Sequence, residues 1–497
     1  MRCAMEPFGL TSILLLFGTC LLFMAIQRKT SERRRRMPPG PFPLPLIGNF
    51  LQLDTRNFPR SMEKLSQKYG PVFTIYLGST PAVVLYGHDV AMEALVTQGD
   101  EFTDRGASPI LMKTTNGTGI GFSNGETWKQ IRHFAEATLD MLGMGQNIEK
   151  KIQKEAGFLV ERLKSTNGRT FDPTSFLSQT TTNILCSISF GKRFNYEDKN
   201  FLRFLHLLDE NASLQSSTMT KLYNIFPTIL DYLPGSHQKI FKNTEELKQF
   251  VSRQVDVHQK TLQPEHPRDF IDAFLIKMEQ ERQNSHSAFD HPSLVRSTLD
   301  LFTGGAQSTS LVLKYGLLVL MKYPKVHEKI LQEIDSVIGP SQTPCMADLD
   351  KMPYTDAVIH EIHRCLALVP LNVPRAVIKD TFFRQYFIPK GTTVFPALKS
   401  SLYDSREFPN PQQFDVGHFL DKKGALRKSE FFIPFSTGKR GCLGKKLTDI
   451  MIFILLTTIL QHFTLKPLGD PGDLDTSLTT GFLTVAPKSY QLSVAPR

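Results

Sequence analysis

Ten residues close to the C-terminus constrain this chain more than any other segment: Phe435-Ser436-Thr437-Gly438-Lys439-Arg440-Gly441-Cys442-Leu443-Gly444, followed by an apolar stretch containing Leu447, Ile450, Ile452, Ile454 and Leu455. The stretch reads as a helix, which puts Cys442 at its start. Backbone N–H groups without helical partners and the positive end of the helix dipole stabilise a thiolate there. The flanking glycines let the backbone come close to a sulfur and to a flat macrocycle. A cysteine is ordinarily a small buried hydrophobe, and Cys186 and Cys365 read that way; the surroundings of Cys442 suit an iron ligand.

The other end of the chain is equally directive. No charge stands between Glu6 and Arg28, and Phe8 to Ile26 is dominated by Leu, Ile, Phe and Met, close to the roughly 20 residues that span a bilayer core. Residues 1–36 hold seven basic and two acidic side chains, so half of the formal charge of +10 lies in this flank. The basic cluster follows the apolar run, the reverse of a cleaved signal peptide, and the positive-inside rule leaves the body on the cytoplasmic side. We expect a signal anchor over 1–27, then a basic and proline-rich hinge over 28–49. Its Pro38-Pro39-Gly40-Pro41-Phe42-Pro43-Leu44-Pro45 is held extended by fixed φ angles and missing donors.

The remaining charge is spread over the body without interleaved aromatics, which argues against nucleic-acid binding. The six cysteines form no C-x-x-C pairs, the pattern of a reducing compartment and not of a disulfide framework. With 41% hydrophobic and 21% charged residues and no repeat, the body reads as one large globular domain over 50–497.

Phe435, Gly438, Arg440, Cys442 and Gly444 together resemble the haem-binding loop F-x-x-G-x-R-x-C-x-G of the cytochromes P450. In that family the cysteine thiolate ligates the iron of haem b and pushes electron density toward O–O cleavage. Other motifs follow in the family's order. Glu361 and Arg364 share one helix face at i, i+3; they resemble the family's E-x-x-R pair, with His418 as its third, structural member. An H-E-x-x-H zinc site is excluded because Arg364 stands where the second histidine would be. Trp128 and Arg132 match W-x-x-x-R. The resemblance makes Trp128, Arg132, Arg375 and Arg440 partners of the haem propionates, a task suited to charge-assisted hydrogen bonds, and gives Phe435 and Gly438 to the cofactor loop.

The resemblance runs from Pro38 to Leu492 and is closest to the vertebrate microsomal family-two enzymes, in particular their C-like subfamily through Gly119-Ile120-Gly121-Phe122-Ser123-Asn124-Gly125. It implies a mostly α fold with a small β region and one N-terminal transmembrane helix, in the endoplasmic reticulum membrane with the catalytic domain on the cytoplasmic face. It also implies insertion of one oxygen atom from O2 into a lipophilic small molecule: a fatty acid, a steroid or a foreign compound. Electrons would come from NADPH through the NADPH-cytochrome reductase, with a microsomal b-type cytochrome as a second partner. By the same resemblance the pocket is lined by the loop before Phe122, the segment around Phe201 to Leu208, Gly304 to Ser308, Leu368 to Val373, and Thr480 to Phe482; these are mostly apolar, as a lipophilic ligand requires.

Two places depart from the relatives. Between Pro292 and Pro324 a long helical stretch is interrupted by Thr303-Gly304-Gly305-Ala306-Gln307-Ser308-Thr309-Ser310, where the glycine pair predicts a kink or an opened hydrogen-bond ladder. Relatives carry A-G-T-E-T-T-S here. Aligning Gly305 and Ser310 puts Gln307 at the acid and Ser308 at the alcohol of the catalytic pair, and glutamine cannot ionise. After the ligand, Lys445-Lys446 replaces the usual glutamate. With Lys129 and Lys439 these lysines either enlarge a basic face suited to an acidic flavoprotein or form a solvated helix start. The Gln307-Ser308 pair keeps two further functions open: a haem enzyme that rearranges a peroxide without a reductase, and a haem-binding protein without catalysis.

Overall fold

The long helices begin where a polar side chain caps an apolar run. Asp290 accepts from the backbone N–H of Ser293, with Pro292 in the first turn, and starts a helix over His291–Lys322; Asp198 does the same for Lys199–Gln215. The computed structural model describes residues 36–497 except 55, 56, 107, 144, 145 and 482. The expected anchor, the first part of the hinge and Phe482 lie outside the described residues. No helix among the described residues is long and apolar enough to cross a membrane.

The fold is mostly helical with a small β region. The helices that position the site are α1 Gly125–Met141, α2 Gln146–Lys164, α3 Thr174–Ser189, α4 Lys199–Gln215, α5 Ser236–Thr261, α6 His291–Lys322, α7 Pro353–Leu366 and α8 Lys445–His462. In α8 every residue from Ile450 to Gln461 is buried, and in α6 every residue from Val312 to Met321. Helices apolar on all sides belong in the interior, and these two form the central core with α3, α2 and α7 packed on them.

The expected interruption of α6 is not there: the helix runs unbroken through Thr303–Ser310. Packing from α3 overrides the weak helical propensity of the glycine pair. Thr181 donates to the Ala306 carbonyl at 3.0 Å, and a Cβ on Gly305 would stand 3.1 Å from Leu185, so α3 lies tight against this turn.

A five-stranded sheet is built from β1 Val72–Leu77, β2 Thr80–Tyr86, β3 Asp104–Arg105, β4 Arg375–Ala376 and β5 Thr393–Ala397, in the order β1-β2-β5-β4-β3. Only the β2–β5 pair is parallel. The register sets Arg105 opposite Arg375. The proline-rich segment lies along β1: Thr74 donates its N–H to Pro39 and its hydroxyl to Pro38, both at 2.8 Å. A Cβ on Gly40 would collide with the Thr74 carbonyl at 1.9 Å.

A buried ionic brace ties α7 to the loop that leads toward Cys442. Arg364 donates to both oxygens of Glu361 at 2.7 Å and to the carbonyls of Leu402, Pro411 and Gln413 at 3.1, 2.8 and 2.9 Å. His418 contacts Glu361 at 3.2 Å and the Pro409 carbonyl at 2.7 Å. Burial works to raise the Glu361 pKa, but the hydrogen bonds from Arg364 and His418 overcome it and hold the carboxyl below its ordinary range. Burial works to lower His418, and Glu361 with the Pro409 carbonyl overcomes it in the other direction.

The carboxylate thus contributes stability above its unfolded-state pKa of about 4.3 that is lost as pH falls through the depressed folded value. The imidazolium contributes stability below about 6.5 that is lost as pH rises through its raised folded value. Glu361→Ala strands the Arg364 charge. Chemical denaturation at neutral pH should show a loss of about 3–5 kcal/mol, shrinking in acid as the wild-type carboxylate protonates; a loss under about 1 kcal/mol would contradict a charge-paired brace.

Candidate cofactor site

The loop that carries Cys442 closes on itself. The Cys442 N–H donates to the Phe435 carbonyl at 2.9 Å and Gly441 to Gly438 at 2.9 Å. Gly438 has φ +69°, and a Cβ there would sit 1.8 Å from the Leu95 carbonyl. Only glycine fits. The chain then enters α8, whose first N–H groups face the sulfur. Burial pushes the Cys442 thiol above its ordinary pKa, while the N–H groups of Gly444 and Lys445 and the charge of Arg132 pull it down. Cys442 is nevertheless solvent-accessible. A group both accessible and desolvated lies on the wall of a concave site.

Beside this loop lies a group of guanidiniums with few anions to meet. Arg375 on β4 and Arg440 in the loop are 1% and 4% exposed. Arg440 donates to the carbonyls of Thr103 and Ser123 at 2.8 and 2.6 Å and lies over the Trp128 ring of α1, 3.9 Å from its centroid. Arg105 on β3 donates to the Gly121 carbonyl at 2.8 Å. Burial lowers the pKa of all three: Arg440 to about 8, Arg105 to about 10 and Arg375 well below its ordinary value. Repulsion adds to this. The charges that act on Arg375 are all cations, those of Arg105, Arg440 and Arg132.

Buried arginines without counter-ions are costly. Three buried donors here lack any acceptor: Trp128 Nε1, Arg375 Nε and Arg440 Nη1. The set fits a flat molecule that brings two carboxylates to the arginines and a metal to Cys442, and haem b is such a molecule.

The structure therefore gathers Trp128, Arg375 and Arg440 beside the Phe435–Gly444 loop. Arg132 is engaged differently, pairing with Glu136 of its own helix at 2.6 Å. Arg105 was missed by sequence reading, because its place depends on a two-residue strand pairing that carries no motif. Gln307 and Ser308 turn apart: Ser308 donates to the Gly304 carbonyl at 2.6 Å, and Gln307 Nε2 donates to Asp209 of α4 at 2.8 Å. Of the four lysines read either as a basic face or as a solvated helix start, three have acidic partners, Lys129 with Glu126 at 3.3 Å, Lys445 with Asp449 at 2.9 Å and Lys439 with Asp100. That face is largely neutralised.

Residues 38–494 match the family model described as Cytochrome P450. The chain is 51% identical over 494 residues to cytochrome P450 2H1 of Gallus gallus, covering 99% of this chain and 100% of that protein. It is 48% identical over 496 residues to cytochrome P450 2C23 of Rattus norvegicus, again with 99% and 100% covered. Cytochrome P450 2C21 of Canis lupus familiaris is 48% identical over 485 residues, 97% of this chain and 99% of that one. Relatives of the expected C subfamily thus stand beside an H subfamily.

Arg375→Met removes a buried cation that the protein alone does not neutralise. The apoprotein should keep or gain stability, by up to about 4 kcal/mol, while haem is lost faster to an acceptor apoprotein. Unchanged haem retention would remove Arg375 from the carboxylate partners.

Proposed function

The chain belongs to the cytochrome P450 family, whose members are haem b monooxygenases, and from that premise we propose that it inserts one atom of O2 into a lipophilic small molecule with Cys442 as the residue that would ligate the iron. The observation that carries this reading is a solvent-accessible thiol at the start of α8 beside buried guanidinium and indole donors that lack acceptors. When bound, thiolate-ligated haem supplies the oxygen-activating redox chemistry.

The protein's own groups do the rest. Cys442 gives up its proton to become a ligand, favoured by the N–H groups of Gly444 and Lys445. Arg105, Arg375, Arg440 and Trp128 would hold the two carboxylates through charge-assisted hydrogen bonds. Gly438 lets the loop lie against Leu95. On α6, Ser308 carries a hydroxyl that could pass a proton to oxygen chemistry supplied by the bound group, and Gln307 an amide that cannot ionise. NADPH-cytochrome reductase is the proposed electron donor and a microsomal b-type cytochrome an accessory one. The membrane anchor of residues 1–27 and the hinge of 28–49 would hold the 50–497 domain at the cytoplasmic face of the endoplasmic reticulum. The neutral amide at Gln307 also supports a second reading, rearrangement of a peroxide substrate with no external electrons.

The reduced carbon monoxide complex should absorb at the position characteristic of thiolate ligation, and Cys442→Ser should abolish that band; its survival would refute the ligand. Strict dependence of product formation on NADPH would exclude the peroxide reading. Ser308→Ala should raise the hydrogen peroxide released per NADPH consumed, since general acid assistance contributes about 10²–10⁴-fold. Unchanged release, with haem content intact, would remove Ser308 from proton delivery.

A further inference from the structure

Asp209 is an exposed carboxylate that accepts from an amide and has no lysine or arginine partner among the described residues. It lies on α4, and its bond from Gln307 ties it to the Gly304–Ser308 stretch of α6 at 2.8 Å. Leu202, His206, Asp209 and Ser213 are exposed at a spacing of three and four residues, while Phe201, Phe204, Leu205, Leu207 and Leu208 of the same helix are buried. Phe204 packs edge-on against Phe302 of α6, with centroids 5.1 Å apart, so α4 and α6 meet at this ring pair.

Asp209 is accessible, yet burial pushes its carboxyl above the ordinary range. It shares with Cys442 the combination that marks a concave wall. Among the described residues the one ionisable side chain acting on it is His206, one turn earlier. The neighbouring acid Glu210 is engaged elsewhere, by Lys239 and by Asn243 at 2.8 Å, and Arg203 is held by Glu246 at 2.7 Å.

We propose that Asp209 recognises a cation, and that the substrates of this protein include lipophilic amines, protonated at neutral pH, whose ammonium group pairs with Asp209 while the apolar remainder lies over the haem face. The inference rests on the lipophilic-substrate reading above and names the substrate class. The Gln307 amide donates to the carboxylate and so favours its charged form. A neutral ligand that covers Asp209 strips water from an anion and returns nothing, whereas an ammonium replaces that water with a charge-assisted bond. A proton-delivery role for Asp209 fits less well: Gln307 donates toward α4 while Ser308 donates into its own helix, so these bonds do not form a chain from Asp209 to Ser308.

The test uses the full-length, haem-loaded protein in lipid nanodiscs and two probes, dimethyl(phenylbutyl)amine and the hydrocarbon in which a C–H group replaces its nitrogen. Kd values from equilibrium dialysis are compared for wild type, Asp209→Asn and Asp209→Glu. The asparagine variant should weaken the amine by about tenfold or more, change the hydrocarbon by less than about twofold, and be rescued by glutamate. Equal changes for both probes, or none for the amine, would overturn the proposal, as would increased peroxide release in Asp209→Asn with both probes at unchanged Kd. The carbon monoxide band of the same preparation separates the two failures. A normal thiolate band with no preference for the amine sinks the cation site alone, and an absent band sinks the haem reading on which it stands.

Discussion

Desolvated guanidiniums with few anions near them set the main constraint around the site. Arg105, Arg375 and Arg440 come from β3, β4 and the loop before α8, and desolvation lowers the pKa of each. A protein interior tolerates such charges only when an anion reaches them or when they neutralise. With the Trp128 indole they leave three buried donors without acceptors. The short strands have little purpose as a stabilising sheet, but they hold Arg105 and Arg375 in direct register and so fix where two carboxylates would sit.

The proposed ligand is positioned by elements that cost no charge repulsion. Cys442 follows a self-closed loop that Leu95 admits only through Gly438, and precedes a helix too apolar to move out of the core. Behind it the Glu361–Arg364 pair is fully buried, bidentate, and bonded to three carbonyls of the segment 402–413. A pair that satisfies nearly all its hydrogen-bonding capacity resists sliding, because any displacement leaves a charge unpaired. The firmly held surroundings of Cys442 contrast with the accessible side chains of Asp209 and Gln307, joined by a single hydrogen bond between α4 and α6.

Motif-bearing parts of this site were legible where local spacing alone carries the chemistry. The Phe435–Gly444 loop and the Glu361–Arg364 helix face are of that kind. Trp128, Arg375 and Arg440 were named through a resemblance and do lie together, but the stacking of Arg440 on Trp128 joins residues more than 300 positions apart, as does Arg440 to Ser123. Arg105 and Asp209 were not legible. Each acquires meaning only from a partner across the fold, Arg375 for one and Gln307 for the other. The interruption expected at Gly304-Gly305 is absent for a related reason: local propensity was outweighed by Thr181 and Leu185 of α3. Of the two readings of the lysines, the ion pairs with Asp100, Glu126 and Asp449 favour a solvated, largely neutralised surface.

The account depends most on the claim that the arginines exist to hold two carboxylates. It can be tested by loading the apoprotein with haem b or with the same haem whose two carboxylates are methyl esters, and comparing affinities by titration. Charge-assisted hydrogen bonds contribute about 1.5–3 kcal/mol each, so esterification should weaken binding by at least about a hundredfold. Equal affinity for haem and its diester would contradict the account, because the buried guanidiniums would then be serving something other than haem.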